Sequence, residues 1–537
     1  PSTWARLQAT AGGGRFTVEI QAGYPMPDAR FAEDAGRGDT GDPAAGSCDN
    51  LAVIVTQRRP LLFAPVIGVA DGESRVRSVG RLNAVETLEF VAALQLLEKH
   101  KCQVLETGGA NTRVIAQPFG NYPGTIQIDS AADSGSCPSP ILNAQATSGG
   151  PSVVACSTNS SNPSCSAGTG DRPSRIGIYA LNFNRPPGHV TTSYPSSYGD
   201  TPAVASPRTG RKYADRRYRE NVAALDQSVK SIVTGNSGRP PGCATVVDNS
   251  CTANGLTWLV LQQADCNSFA TFFLAPGRTS AKNIWFNCDL NVNAPLTLTA
   301  ADSYIVVTGQ LRVGSLFTIT DPRRVYIGGR ATGNRVGLDL SGGTFTVNPG
   351  LHLTCMTRTE VGHTTRLVVG SGSMKVSSGA TVRLCQTFVL LASGYDKVPA
   401  VDGTPPCQTS TCANYTGTIS VSSGGMVDWS GPNEIRDRLP DATELATTNP
   451  FEDLALWTEA GGKDNGLAGG ATTHMAGSFF MPNADAFSLV GGGSLPVYLS
   501  AQFIATSMKV SGGATVNLVP NPLDSIPTSV YTVLLVR

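Results

Sequence analysis

The sequence predicts a mainly β protein, with a right-handed parallel β-helix (β-solenoid) as its main part and a smaller α+β region at the N-terminus. Glycine (59) and proline (35) are frequent in the 537 residues and only 15% are charged, a composition typical of a turn-rich chain. From about residue 256 onward, short β-type runs follow one another to the end. One twelve-residue phrase nearly recurs, as SMKVSSGATVRL at 373–384 and SMKVSGGATVNL at 507–518.

The strongest fold signal is a shared pattern in four segments: two alternating apolar residues, a polar Ser/Gly/Asn corner, and two more alternating apolar residues. The apolar positions are Leu338, Leu340, Phe345 and Val347; Met374, Val376, Val382 and Leu384; Ile419, Val421, Val427 and Trp429; and Met508, Val510, Val516 and Leu518. In a β-solenoid such residues stack inward in rows while the polar residues between them face water. The repeated phrase therefore indicates architecture and not an active site.

The same units would also suit hairpins of a meander or sandwich. The corners lack the Asn-Gly and Asp-Gly pairs that mark tight hairpins, which favours the solenoid. The turn glycines Gly343, Gly379, Gly425 and Gly512 are irregularly spaced. We therefore expect insertions between turns of the solenoid, one of them at 432–466 with a helical turn at 452–457.

Three regions are expected along the chain. Residues 1–128 form an N-terminal α+β region with strands at 14–20, 51–56 and 75–82, while 83–100 suits either a helix or a buried strand. Residues 129–255 form a loop-rich insertion pinned by disulfides. It contains one helix at about 211–235, because Val222, Leu225, Val229 and Ile232 recur at three- and four-residue spacing. Residues 256–537 form the solenoid.

Cysteine usage indicates an oxidising compartment. The chain has 13 cysteines, many in close pairs within polar loops, and no C-x-x-C zinc knuckle occurs. Disulfide candidates, taken as neighbouring pairs, are Cys102 and Cys137, Cys156 and Cys165, Cys243 and Cys251, Cys266 and Cys288, Cys355 and Cys385, and Cys407 and Cys412. Cys48 is left over, and sequence does not fix the connectivity.

No catalytic residue, cofactor or metal site is expected. Lys+Arg and Asp+Glu balance at 40 each, which gives no electrostatic case for nucleic acid. Nucleotide-binding, serine-hydrolase and zinc-protease motifs are lacking. The nearest metal-type grouping, His352, Glu360 and His363, has a spacing that does not share one strand face. Carboxylates of the β region lie apart beside turn residues and suit turn chemistry; they are Asp302, Asp321, Asp339, Asp428 and Asp485. Trp285, Trp429 and Trp457 are too scattered to predict a sugar-binding groove.

Two stretches resemble a known family. Residues 479–518, with Pro482-Asn483-Ala484, Gly491–Gly493 and Ala501-x-Phe503, resemble the C-terminal repeats of PilX-like and Tad-associated pilus-assembly proteins. Residues 51–82, with the following VLETGGANTRV and TIQIDSAAD, are similar to TadG-like proteins of Flp/Tad pilus systems. The resemblance implies a non-catalytic cell-surface protein. Such proteins begin with a membrane helix, and this chain opens on Pro1-Ser2-Thr3-Trp4, so we expect an ectodomain that contacts the membrane only through a helix outside this sequence.

The expected function is that of a secreted or membrane-tethered structural protein of a bacterial pilus-related system. Its expected partners are other pilus or cell-envelope proteins. Self-association is a further expectation, because solenoid ends expose unpaired strand edges unless they are capped. The alternatives are an extracellular carbohydrate-active β-helix enzyme and an adhesin that binds glycan or protein.

Overall fold

The fold is mainly β. The computed structural model describes residues 4–11, 14–22, 50–60, 71–86, 91–97, 104–108, 112–130, 141–142, 152–172, 174–180, 190–192, 238–253, 255–276, 278–279, 283–299, 302–329, 336–348, 355, 364–377, 379–391, 417–422, 424–432, 451, 453–458, 465–468, 473–481, 487–490, 497–513, 515–522, 525–526 and 529–535. Within these ranges no helix has both the length and the apolar character needed to cross a bilayer.

Two short helices and many strands make up the described chain. The helices are α1 (Gln263–Asn267) and α2 (Phe269–Phe272). The strands are β1 (Trp4–Ala11), β2 (Gly14–Ala22), β3 (Asn50–Pro60), β4 (Asp71–Glu86), β5 (Leu94–Leu97), β6 (Leu105–Gly108), β7 (Arg113–Ala116), β8 (Thr125–Ser130), β9 (Ile141–Leu142), β10 (Val153–Ala155), β11 (Arg175–Ala180), β12 (Val190–Thr192), β13 (Ser250–Ala253), β14 (Leu256–Leu261), β15 (Asn283–Phe286), β16 (Leu290–Val292), β17 (Leu296–Thr299), β18 (Tyr304–Val307), β19 (Leu311–Val313), β20 (Leu316–Thr320), β21 (Arg324–Ile327), β22 (Val336–Leu340), β23 (Thr344–Val347), β24 (Thr365–Val369), β25 (Ser373–Val376), β26 (Thr381–Leu384), β27 (Thr387–Leu391), β28 (Ile419–Val421), β29 (Met426–Ser430), β30 (Leu454–Thr458), β31 (Asn465–Ala468), β32 (Thr473–Met481), β33 (Phe487–Val490), β34 (Val497–Ala505), β35 (Met508–Ser511), β36 (Thr515–Leu518) and β37 (Ser529–Leu535).

The chain divides into two compact units. Unit 1 comprises residues 1–87 and 529–537, and unit 2 comprises residues 88–528. Unit 1 is a five-stranded antiparallel sheet in the order β1-β2-β3-β4-β37. Its last pair joins the two ends of the chain, with Ser529 opposite Glu86 and Leu535 opposite Gly80. The strands predicted at 14–20, 51–56 and 75–82 are β2, β3 and part of β4.

Unit 2 is built from three long parallel ladders. Ladder 1 runs β16-β19-β22-β25-β28-β31-β33-β35-β6-β9. Ladder 2 runs β17-β20-β23-β26-β29-β32-β34-β36-β7-β10-β12, and ladder 3 runs β14-β15-β18-β21-β24-β27-β30-β32-β34-β5-β8-β11. The nine-residue strands β32 and β34 take part in both of the last two ladders. At one end β13 pairs antiparallel with β14.

The unit repeats as sets of three strands, one in each ladder. Strands β16, β17 and β18 pair with β19, β20 and β21 respectively, so Leu290 lies beside Leu311 and Leu296 beside Phe317. Register partners of these two sets in ladders 1 and 2 are 21 residues apart in sequence, and the backbone N–H of Gln310, just before β19, donates to Asp289 Oδ1, just before β16, at 2.8 Å. Later sets are farther apart in sequence, and the extra residues lie between the strands and leave the pairing parallel. The insertions expected from the glycine spacing do not interrupt the parallel pairing of the described strands.

The core lies inside these ladders and follows the predicted apolar pattern. One column of ladder 2 is made of Leu298, Ile319, Val347, Leu384 and Trp429, which are successive register partners and at most 1% exposed. The sixteen apolar positions of the four shared segments are likewise all buried. Successive side chains of a strand point to opposite faces, so every second residue points into the core. Because the strands pair in register, these inward residues line up from strand to strand.

The corners between ladders 1 and 2 depend on glycine for two different reasons. Gly379 has φ +76° and Gly512 has φ +85°, a left-handed conformation that glycine adopts without strain. At Gly343 the reason is close approach, because an added Cβ would lie 2.4 Å from the carbonyl oxygen of Ser315 in the preceding corner. The polar corners predicted from sequence are therefore tight turns that stack on one another.

Several local predictions were wrong. The run SFATFFLAP (268–276) lies in the region expected to consist of β-type runs, yet it contains α2, because Phe269, Phe272 and Phe273 fall on one helix face and pack on the core. The helical turn expected at 452–457 is instead mostly strand β30, whose residues are all buried. Of the ambiguous segment 83–100, residues 83–86 lie in β4 and 94–97 form β5. Residues 129–192, expected to be loops, contribute four short strands, β9 to β12. The helix predicted at 211–235 lies outside the described residues.

Ladder 3 is buried on both faces. Its outward column of register partners, Trp285, Val306, Tyr326, Val368 and Leu390, is at most 2% exposed. The column continues through Trp457, Phe480 and Ile504, all fully buried, and these residues form a second apolar cluster outside the core. Parallel strands covered on both sides read as continuous apolar runs, which explains sequences such as TFVLL and LALWT.

Candidate functional site

Disulfides hold peripheral segments onto unit 2. The structure contains the bonds Cys156–Cys165, Cys243–Cys251, Cys266–Cys288 and Cys355–Cys385. These are four of the six pairings that the spacing suggested. Cys48, Cys102, Cys137, Cys407 and Cys412 lie outside the described residues. Four disulfides are consistent with an extracellular, oxidising environment.

Asp428 on β29 is a carboxylate buried with two partners, and it is 2% exposed. Its Oδ1 accepts a hydrogen bond from the backbone N–H of Cys355 (2.9 Å), and its Oδ2 pairs with Nε of Arg383 at 3.0 Å. Cys355 is also disulfide-bonded to Cys385, next to strand β26. A buried carboxylate is stable only with such partners. The arrangement fastens Cys355 to ladder 2.

Two of the other predicted carboxylates, Asp302 and Asp321, lie in neighbouring corners, where the backbone N–H of Asp302 donates to the carbonyl oxygen of Asp321 at 3.0 Å. Asp302 and Asp321 each have φ +52°, the turn role expected for isolated aspartates beside Gly or Ser, and Asp339 pairs with Arg312 at 3.2 Å. His352, Glu360, His363 and Asp485 lie outside the described residues. Across the part of the chain that the structure describes, no three His, Cys, Asp or Glu side chains are grouped as metal ligands.

The three tryptophans considered as sugar platforms serve packing. Trp285 and Trp457 are fully buried in the outer cluster of ladder 3, and Trp429 is 1% exposed in the core. The indole N–H of Trp429 donates to the carbonyl oxygen of Thr387 at 3.0 Å. These rings are inaccessible to a ligand in this structure.

A small ordered surface lies on the outward face of ladder 2. Thr297 and Thr318 are register partners, as are Thr299 and Thr320. The threonines of β17 are exposed, and those of β20 are half-buried. We call these four residues the threonine patch. Neighbouring strands are about 4.8 Å apart and alternate residues along a strand about 7 Å, so the patch presents a regular grid of hydroxyl and methyl groups. The sequence signal for it is the repeated Thr-x-Thr in LTLT and FTIT.

The structure also reveals a junction that sequence reasoning missed. Strands β35 and β36 occupy ladders 1 and 2 at the C-terminal end of the chain, and the ladder 3 position of that set is filled by β5 from the N-terminal end. The next set is β6, β7 and β8, which pair with β35, β36 and β5. We call β35, β36 and β5 the closing turn. It is one repeat of the stack built from both ends of the chain.

Polar contacts surround the closing turn. Lys509 Nζ lies 2.9 Å from Glu106 Oε1, and the buried Gln117 amide donates to Asn517 Oδ1 at 2.7 Å. Gln502, fully buried, donates to the carbonyl oxygens of Ala92 and Ile526, both at 2.9 Å. Every one of these except the Ile526 contact joins residues 400 to 410 apart in sequence. No local pattern along the chain could have predicted them.

Comparison with known proteins gives no relative. No protein-family model, curated protein or solved structure matches the chain. Fold and surface together therefore define only a class: a disulfide-bonded, mainly β protein with long parallel ladders and one antiparallel sheet.

Proposed function

We propose that the protein is a non-catalytic structural protein of the cell exterior, in which unit 2 is a right-handed parallel β-solenoid that serves as a stiff spacer and contact surface. The observation that carries the proposal is the strand-for-strand parallel pairing of successive three-strand sets around one core. Right-handedness follows from the general preference of parallel crossover connections. Such stacks are stiff because each set pairs with its neighbours in every ladder.

The dimensions suit a spacer. Ladder 1 has ten strands, and at about 4.8 Å per step the stack extends roughly 43 Å along the ladders. Corners between ladders 1 and 2 are short, as at Gly314-Ser315 between β19 and β20 and at Ser341–Gly343 between β22 and β23. Unit 2 thus supplies length, and its surface supplies contacts.

A pilus-related setting is the specific form of this proposal. It rests on the sequence resemblance at 51–82 and 479–518 alone, with other surface proteins as partners. The second stretch covers β33 to β36 and part of β32, where the small residues Ala501 and Ala505 are fully buried between strands. Small side chains allow neighbouring strands and corners to approach closely.

Localisation and cysteine state test the proposal together. We expect immunogold labelling of producing cells to find the protein at the surface, and mass spectrometry of native protein to find the four disulfides. Co-purification with surface fibres tests the pilus setting separately. A protein confined to the cytosol with its 13 cysteines reduced would refute the extracellular role.

A second candidate, adhesion to glycans, is favoured by the threonine patch. Paired rows of hydroxyls on a rigid sheet can donate to and accept from sugar hydroxyls. We expect Thr297→Val with Thr318→Val to abolish binding on a glycan array, while Thr252→Val, at an exposed position of the β13–β14 hairpin, leaves it unchanged. Equal binding by all variants would remove the patch from consideration.

A further inference from the structure

The closing turn divides the chain into two blocks that complete each other. The N-terminal block contains β1 to β12, and the C-terminal block contains β13 to β37. They meet along all three ladders, through the pairs β35–β6, β36–β7 and β34–β5. In unit 1 the pair β4–β37 joins the same two blocks. Every described disulfide lies within one block, so no described covalent bond crosses this interface.

The chain segment that connects the blocks does not by itself require that the two blocks that pair belong to the same molecule. Strand β12 ends ladder 2 at one end of the stack, and β13 and β14 begin ladder 3 at the other. Counted along ladders 2 and 3, roughly twelve strand spacings, about 58 Å, therefore separate β12 from β14 even when both blocks belong to one chain. The entropy of closing a long connection rises only slowly with its length. A connection of this kind permits pairing with a neighbouring copy wherever the local protein concentration approaches the effective concentration of the chain's own second block.

The order of synthesis separates the two blocks in time. Contacts across the interface join residues 400 to 410 apart in sequence. At 5–20 residues per second, the N-terminal block waits roughly 20–80 s for its own partner strands. During that time the matching surface of a completed C-terminal block in a second copy offers the same backbone ladders and the same polar contacts.

We propose that the two blocks exchange between copies, so that the N-terminal block of one molecule completes the closing turn of another and vice versa. Reciprocal exchange between two copies is the smallest assembly of more than one chain that restores the β35–β6, β36–β7 and β34–β5 pairs in every copy. The partner is therefore a second copy of this chain. The inference is independent of the pilus setting and of the threonine patch.

Cysteine pairing between separate chains tests the exchange. A Cβ added at Gly108 would lie 3.7 Å from Cβ of Ser511, its register partner across the interface, which matches the 3.5–4.5 Å found in disulfides. Gly108→Cys is placed in one full-length chain and Ser511→Cys in another with a different affinity tag. The two are co-produced, oxidised and purified through both tags in succession.

The chain offers a matched control inside one block. A Cβ at Gly466 would lie 3.8 Å from Cβ of Ser488, its register partner in the same ladder. Gly466→Cys and Ser488→Cys in separate chains should give no mixed disulfide, because both positions belong to the C-terminal block of the same molecule. Both cysteines in one chain should give a disulfide for either pair and so show that each pair can form: an intrachain bond for 466/488, and for 108/511 a bond between two chains when the blocks exchange and within one chain when they do not.

Exchange of the blocks predicts a mixed-tag dimer for the pair at 108 and 511 that disappears on reduction. The amount of this dimer should be at least tenfold higher than for the control pair and for each single variant. The same dimer should be found by mass photometry without oxidation. Mixed dimer at the control level, with the intrachain bond of the 108/511 double variant intact, would overturn the proposal. Absence of any 108–511 disulfide in the double variant, within one chain or between two, would contradict the interface itself.

Discussion

Gln502→Leu removes the most fully bonded side chain at the closing turn. The Gln502 amide donates to the carbonyl oxygens of Ala92 and Ile526 at 2.9 Å each, and its Oε1 accepts from Ser478 Oγ at 2.6 Å and from the Ile526 N–H at 3.0 Å. Leucine has a similar volume and leaves little cavity. The change therefore isolates the loss of hydrogen bonds in a site closed to water.

The expected magnitude follows from the two carbonyls that lose their donor. A buried polar group left without a partner costs roughly 1–3 kcal/mol, so we expect destabilisation of about 3 kcal/mol in total. Since 1.4 kcal/mol is a tenfold change in an equilibrium constant, amides of β5 should exchange with solvent about 100-fold faster. Amides of β18 and β21, far along the ladder, should change much less.

Hydrogen–deuterium exchange with mass spectrometry measures this directly, and guanidinium denaturation gives the change in the unfolding midpoint. Gln263→Leu is the control, because Gln263 is exposed on α1 and bonds only Asn267, at 3.2 Å. It should alter stability by less than about 0.5 kcal/mol. If the amides of β5 in Gln502→Leu exchange hydrogen for deuterium at the wild-type rate, the role assigned to the Gln502 hydrogen bonds is refuted.

Three further variants probe a corner glycine, the Cys266–Cys288 disulfide and the contacts of Asp428. Gly343→Ala should destabilise by about 1–3 kcal/mol because its Cβ meets a backbone oxygen at 2.4 Å, whereas at Gly314 the nearest atom is 3.8 Å away and alanine should be tolerated; thermal unfolding compares them. Cys266→Ser with Cys288→Ser opens a bond of sequence separation 22 and should cost about 3 kcal/mol, seen as a lower denaturation midpoint. Asp428→Asn keeps an acceptor but loses the ion pair, and should speed proteolysis near residue 355 without unfolding the ladders.

The inward pattern was predictable because it is local. Leu338, Met374, Ile419 and Met508 stand at equivalent points of four sequence segments, and all are buried in ladder 1. Alternation sets which face a residue takes, and the corner glycines set where the chain turns. The mainly β prediction is confirmed for these reasons.

Predictions from the sequence pattern were wrong where contacts between distant parts of the chain determine the local structure. Phe269, Phe272 and Phe273 suit a strand by composition, yet their spacing lets two short helices pack on the core beside the Cys266–Cys288 bond. The buried carboxylate of Asp428 looked like an isolated turn residue, because its partners Arg383 and Cys355 come from other repeats. Apart from the threonine patch, no candidate site emerged from the motifs of single segments.

The apolar pattern does not specify which strand lies next to which in a ladder. Met508 stacks in ladder 1 between Phe487 and Leu105, and any of the buried apolar residues in this column would fill a similar space. Apolar stacking therefore tolerates several orders of the repeats, whereas the Gln502, Gln117 and Lys509 contacts require particular partners. A slip by one repeat would leave the Gln502 amide buried without its partners, at roughly 1–3 kcal/mol for each lost contact. We infer that these polar groups specify which strand follows β36, and that they do so equally whether β5 belongs to the same chain or to a second copy.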